Sequence, residues 1–305
     1  MVLEPRHHIS MLNSTEALSP GSEAPGPPGQ SPEPINDNFF TRTLTLFVVN
    51  ILRHKYMRSL YKSVNGVMLV SRFAIKTSAC TTLAEAHAMR FVANNTSIPV
   101  PKVYCAFVHN DQVCIVMERV DGHSVARDWE WRPEWSRARI LIQLKNMIQQ
   151  LRDIPHPDAQ YAVSNSIEGP IFDERLPGEM PKGPFPTVDD FHRELRQNFE
   201  LDEVNMALFP EELVELVEFQ KEPVPKTVFT HGALSSLNIL VDGDEVAGII
   251  NWENAGWFPP YWEYITAWNV KPDSQFWQEE VDKFLTPMPH ELKMDVVRRR
   301  YFGNF

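Results

Sequence analysis

Residues able to do chemistry crowd into the last third of the chain. His231-Gly232-Ala233-Leu234-Ser235-Ser236-Leu237-Asn238 puts an imidazole, hydroxyls and an amide in one short stretch. Gly248-Ile249-Ile250-Asn251-Trp252-Glu253 adds a second amide and a carboxylate. An amide oxygen can meet a hard cation such as magnesium, but only a carboxylate brings the negative charge that cation prefers. Serine hydroxyls such as those of Ser235 and Ser236 are poor bases near pH 7. Upstream, Lys76 closes an apolar run, and Glu85 follows in a segment of helix formers. His7-His8, His87 and His109 are isolated. The chain has no G-x-S-x-G, H-E-x-x-H, Walker A or dinucleotide fingerprint.

The elements that must position these residues follow from patterning. Gly66–Lys76 reads as two short strands or one bent strand. Leu83–Asn95 reads as a helix with Leu83, Ala86, Met89, Val92 and Ala93 on one face. Val103–Val108 and Gln112–Glu118 read as strands around the turn His109-Asn110-Asp111. Glu134–Asp153 carries Ile140, Leu144, Met147, Ile148 and Leu151 at helical spacing. Thr41–Arg53, Val188–Phe199 and Pro210–Lys221 are further helices, and Ser164–Thr187 is a long loop rich in Gly and Pro. Ile239–Val241 and Val246–Ile250 flank a hairpin turn, Asp242-Gly243-Asp244, whose two aspartates are expected to face solvent. The rings of Trp252, Trp257, Phe258, Tyr261, Trp262, Tyr264 and Trp268 read as core packing rather than a ligand cage.

A length of 305 residues suits one large domain or two lobes sharing a cleft. Residues 1–37, dense in Pro, Gly, Ser and Glu, are expected to be a disordered leader. The formal charge of −11 argues against nucleic acid and against an anionic membrane as partners. Cys80, Cys105 and Cys114 lack ligand-like spacing, which argues against structural zinc and a disulfide framework and suits a reducing compartment. The N-terminus lacks the layout of a signal peptide, and the apolar stretch Leu44–Leu52, interrupted by Asn50, is too short to span a bilayer. The expectation is a soluble, cytoplasmic protein.

Taken in order, the motifs resemble the aminoglycoside phosphotransferase and choline kinase-like family, in the form met in fungal members. His231–Leu240 resembles that family's loop H-G-D-L-x-x-x-N-I-L, and Gly248–Glu253 resembles its G-I-I-D-W-E. Pro259-Pro260-Tyr261-Trp262-Glu263-Tyr264 follows as in many members. Ser97–Tyr104 and Ile115–Arg119 match its strand and hinge segments, and Gly183-Pro184-Phe185 its middle loop. The resemblance covers about residues 60–270. It implies a two-lobed, protein-kinase-like α+β fold, with a small β-rich lobe at 38–120, a larger mainly helical lobe at 121–305, and a hinge near Glu118–Gly122.

Phosphoryl transfer needs a cation on the nucleotide phosphates, magnesium, and a base for the acceptor hydroxyl. The resemblance puts Lys76 at the strand-lysine position, Glu85 as its ion-pair partner, and the backbone of Glu118 to Val120 at the adenine edge. Asn238 takes the place of the loop asparagine that holds magnesium, and His231 that of a residue that props the loop. Two positions depart from the pattern. The base aspartate is replaced by Ala233 and the magnesium-binding aspartate by Asn251. Loss of a positioned base costs on the order of 10²–10⁴ in rate. Glu253, beside the metal position, is the residual carboxylate for a cation, or equally a structural hydrogen-bond acceptor. ATP and a weakened Mg2+ site are the implied cofactors, and a small molecule in the interlobe cleft is the implied ligand. Three readings stay open: a pseudokinase, an active kinase of a small-molecule hydroxyl, and an enzyme of another class reusing the cleft. Oligomeric state leaves no trace in the sequence.

Overall fold

The computed structural model describes residues 32–54, 62–64, 66–78, 81–157, 160–173, 175–178, 180–202, 206–224, 226–269 and 275–303. The N-terminal part is a five-stranded antiparallel sheet. Its strands are β1 (Lys62–Val64), β2 (Val67–Val70), β3 (Phe73–Ser78), β4 (Val103–His109) and β5 (Gln112–Glu118), in the spatial order β1-β2-β3-β5-β4. The β4–β5 turn runs through Asn110 and Asp111, at φ 49° and 56°. This is the left-handed pair that a tight hairpin demands and that Asn and Asp tolerate.

A helix covers each face of the sheet. Helix α1 (Phe39–Arg53) starts on a capping box in which Asn38 and Thr41 bond each other's backbone amides. Its Val49 and Leu52 pack on Met68, Ile75, Cys105, Phe107 and Cys114. Helix α2 (Leu83–Asn95) packs the opposite face through Leu83, Ala86, Met89 and Val92. Ala93, expected on that face, is exposed at its edge. Residues 1–31 of the expected leader lie outside the described residues. The remainder departs from the expectation of disorder, because Ile35 is buried and exchanges both backbone hydrogen bonds with Ala106, at 2.8 and 2.9 Å. The Glu33 carbonyl also meets His87 Nε2 at 2.8 Å, so His87 is tied down rather than isolated. One buried apolar side chain and two backbone bonds suffice to fasten a Pro-rich strap to the edge of β4.

The C-terminal part is mostly helical: α3 (Glu134–Asp153), α4 (Val188–Leu195), α5 (Glu211–Lys221), α6 (Trp262–Trp268), α7 (Gln275–Phe284) and α8 (Pro289–Phe302). Small sheets are set among them. Strands β6 (His123–Ser124), β9 (Ile239–Asp242) and β10 (Glu245–Ile249) form one, and β7 (Ser164–Asn165), β8 (Val228–Thr230) and β11 (Gly256–Phe258) the other. The aromatic stretch is core: Trp252, Trp257, Phe258, Tyr261, Trp262 and Tyr264 are all buried, and Trp268 packs against them half-buried. Helix α4 stops at Leu195, short of the expected Phe199, because Gln197 and Asn198 turn left-handed, at φ 54° and 58°. The loop 164–187 contains β7 and bridges Val163 to Phe185 and Ile171 to Lys182. Asp242 is exposed as expected, whereas Asp244 is only partly so. It accepts a hydrogen bond from buried Ser136 Oγ at 2.5 Å and meets Arg132, which ties the hairpin to the start of α3. Among the described residues no helix is long and apolar enough to cross a membrane.

Replacing Ile35 with Ala should lower stability by about 2 kcal/mol in urea unfolding, the lower end of the cost of truncating a buried isoleucine. An unchanged midpoint would mean the strap contributes nothing to the fold.

Candidate functional site

The site is assembled around Lys76. In β3 this residue pairs with Val67 of β2 and Ile115 of β5, so it projects from the interior of the sheet. Its Nζ donates to Glu85 Oε2 at 2.8 Å, and Glu85 stands in the first turn of α2 with 1% of its side chain exposed. The expected pair is therefore made. The same ammonium reaches across to the C-terminal part, where it donates to Glu253 Oε2 at 2.9 Å and to Asn251 Oδ1 at 3.1 Å. Burial alone pushes the ammonium down and the Glu85 carboxyl up, and their contact opposes both shifts. We take the pair as ionised, because Glu85 and Glu253 together outweigh burial and hold Lys76 above its ordinary value.

Asn251 can stand where it does because asparagine tolerates left-handed backbone, here at φ 66°. It follows β10, which is locked to the N-terminal part by the Ile249 N–H on the Pro99 carbonyl at 2.9 Å. Its Nδ2 faces Glu253 Oε1 at 3.4 Å. Asn251 and Glu253 therefore belong to the constellation, but what they hold is a lysine. Among the described residues, no group of three or more His, Cys, Asp or Glu side chains converges as a metal site.

The loop 231–238 leaves β8 and is held from beneath by a carboxylate. Buried Glu263, in the first turn of α6, accepts the His231 N–H at 2.7 Å and the Gly232 N–H at 3.1 Å. His231 is fully buried. Its Nδ1 accepts from the Ala233 N–H at 3.1 Å, which leaves Nε2 to donate to the Ile250 carbonyl at 3.1 Å. Burial lowers this imidazole to about 4, so it is a neutral prop. Gly232 has φ 75°, and a Cβ there would stand 2.5 Å from the Asn254 carbonyl oxygen, so glycine is required. Ala233 offers only a methyl at the base position. Asn238 spends its Nδ2 on the Ala233 carbonyl at 2.8 Å, closing the loop.

At the hinge the expectation is narrowed. The Glu118 amide is committed to the Lys102 carbonyl at 2.8 Å, and the Arg119 amide to that of Arg72 at 2.9 Å. The Glu118 carboxylate turns back to the Lys102 amide at 3.3 Å. The Val120 side chain lies over Gly248.

Two positioning residues went unread in the sequence. Glu263 sits in a run of rings, and a lone acid inside a buried aromatic stretch was the available signal. Arg175 donates to the Gly232 carbonyl at 2.5 Å and is gripped by buried Asp173 at 2.6 and 2.5 Å, which pins the middle loop to 231–238. Nothing in the spacing of Asp173 and Arg175 announces that contact.

A lysine on an antiparallel sheet, paired to a helix glutamate and faced by a histidine loop and a hairpin, defines a protein-kinase-like phosphotransferase fold. Residues 58–294 match the model of the phosphotransferase enzyme family APH, and the chain belongs to that family. Aminoglycoside phosphotransferase APH(4)-Ia is similar in structure at 16% identity, with a TM-score of 0.52 over 86% of this chain and 88% of that one. A thermostable mutant of APH(4)-Ia, in ternary complex with ADP and hygromycin B, aligns at 16% identity and TM-score 0.51, covering 79% and 80%. At that identity the likeness shows the fold. No curated protein matches the chain.

His231, and His192 buried between the Gln220 carbonyl and the Tyr261 hydroxyl, are both lowered to about 4 by burial. Their contribution to stability is complete above the unfolded value near 6.5 and is lost as pH falls toward about 4. Ring signals followed by NMR should therefore stay those of neutral imidazole down to about pH 5. Titration of either ring near 6.5 would contradict the packing described.

Proposed function

We propose that this protein keeps the nucleotide-binding half of a small-molecule phosphotransferase and has lost most of the transfer half, making it a pseudokinase. The observation that carries the reading is the intact Lys76–Glu85 pair at 2.8 Å beside a loop whose base position is the methyl of Ala233. Lys76 would bind the phosphates of a nucleotide, and the Val120 backbone would meet its base. A related fold holds ADP together with a small-molecule substrate, which supports a nucleotide and a small molecule sharing the cleft here. His231, Glu263, Arg175 and Asn238 would keep the loop in its shape.

The donors present do not fit a preformed magnesium site. Asn251 Oδ1 and Glu253 Oε2 both accept from Lys76, and Asn238 adds one uncharged amide oxygen where a hard cation prefers carboxylates. No step is assigned to a metal. Cys105 and Cys114 are buried free thiols, which supports a reducing compartment such as the cytoplasm.

An active phosphotransferase acting on a hydroxyl is the second reading. It is favoured by Glu253, whose carboxylate returns near Asn251 the charge an aspartate there would carry. The third reading, an enzyme of another class reusing the cleft, rests on the emptied positions Ala233 and Asn251 and on the aromatic stretch, whose rings from Trp252 to Tyr264 are buried in the core.

Thermal unfolding with ATP or ADP, with and without magnesium, tests the nucleotide half. A hundredfold excess over Kd should raise stability by about 2.7 kcal/mol, and the gain should vanish in Lys76→Ala. The transfer half is tested with a panel of hydroxyl acceptors. The wild type should transfer no γ-phosphate above background, and Ala233→Asp with Asn251→Asp should raise the rate by about 10² or more. Robust transfer by the wild type would contradict the pseudokinase reading.

A further inference from the structure

A lysine ammonium has three N–H donors. At Lys76 each has an acceptor already: Glu85 Oε2 at 2.8 Å, Glu253 Oε2 at 2.9 Å and Asn251 Oδ1 at 3.1 Å. The side chain is 11% exposed. A phosphate oxygen therefore has no vacant donor to take and can bind Lys76 only by displacing one of the three.

The three are not equally displaceable. Glu85 has 1% of its side chain exposed, and pulling the lysine from it would leave a buried carboxylate unpaired, which is strongly unfavourable. Asn251 stands two residues after β10 with its backbone left-handed, and its Oδ1 is an uncharged acceptor that gains less from hydration than a carboxylate. Glu253 has 37% of its side chain exposed, and among the described residues its other oxygen makes only the 3.4 Å contact to Asn251 Nδ2. It can turn into solvent and regain hydration, at the small cost typical of a partly exposed ion pair. Arg175, a cation bonded to loop 231–238, is held by Asp173 and the Gly232 carbonyl.

We propose that Glu253 is an internal, displaceable ligand of Lys76. It occupies the donor that the phosphates of a nucleotide must use, and so sets the affinity of anionic ligands at this lysine. The proposal rests on the nucleotide reading above. It adds that the residue beside the emptied metal position competes with the ligand rather than assisting it.

The test is calorimetric titration of ADP into the full chain in EDTA, for wild type, Glu253→Gln, Lys76→Ala and the double variant. Glu253→Gln should bind ADP about two- to fivefold more tightly than wild type, the size expected from releasing one partly exposed ion pair. Glu253→Ala should change affinity in the same direction. The gain should disappear in the Lys76→Ala background. Equal or weaker ADP binding by Glu253→Gln would overturn the proposal alone, while the nucleotide reading survives on wild-type binding. A gain that persists without Lys76 would also overturn it, because Glu253 would then act through its general field. No ADP binding by either wild type or Glu253→Gln would overturn the nucleotide reading and the proposal with it.

Discussion

A cation under the sheet must be neutralised, and the arrangement of the cleft follows from that. Lys76 is too enclosed to be hydrated, so its charge has to be met by protein groups. Glu85 supplies one from α2, and this sets how the helix lies on β3. Glu253 supplies the other from beyond β10, 177 residues along the chain. The ammonium thus joins three separately formed elements, and two of them belong to opposite sides of the cleft. A buried carboxylate paired on one side and a half-exposed one on the other make the join firm at the helix and exchangeable at the hairpin.

The loop 231–238 keeps its frame independently of any chemistry at Ala233. Glu263 accepts two of its backbone amides, His231 spends both ring nitrogens on backbone groups, and Arg175 with Asp173 clamps the Gly232 carbonyl. None of these contacts uses a side chain at 233. Loss of a base there removes a reactive group without removing a support. A chain can therefore retain the phosphotransferase fold, with a polar and charged cleft, while its transfer chemistry is weakened. Beside Asn251, the carboxylate of Glu253 has the lysine as its partner.

Most of the elements were legible because each carries its own period or punctuation. Leu83–Asn95 and Glu134–Asp153 show helical spacing of apolar residues, and Asp242-Gly243-Asp244 marks its hairpin. The Lys76–Glu85 pair is what the family resemblance implies for a strand and a helix adjacent in sequence. What escaped was long-range and polar. Ile35 joins β4 through two backbone bonds, which leave no compositional trace in a Pro-rich segment. Asp244 meets Ser136 because the hairpin docks on α3, and patterning within a hairpin does not say which helix it will meet. Glu263 acts on backbone amides of another loop and so has no side-chain partner whose type could be sought there, and the pairing of Arg175 with Asp173 does not disclose the Gly232 carbonyl it also meets. Glu253 was singled out as a cation ligand or an acceptor. That the cation is an ammonium from the opposite side of the cleft depends on how the two sides close.

Lys76 and Glu253 are partners in the ligand-free protein, and a double-mutant cycle measures their coupling. Urea unfolding of wild type, Lys76→Met, Glu253→Gln and the double variant gives the coupling free energy. Favourable coupling of about 0.5–1.5 kcal/mol between the two residues is expected. Additivity of the two single variants to within about 0.3 kcal/mol would contradict it.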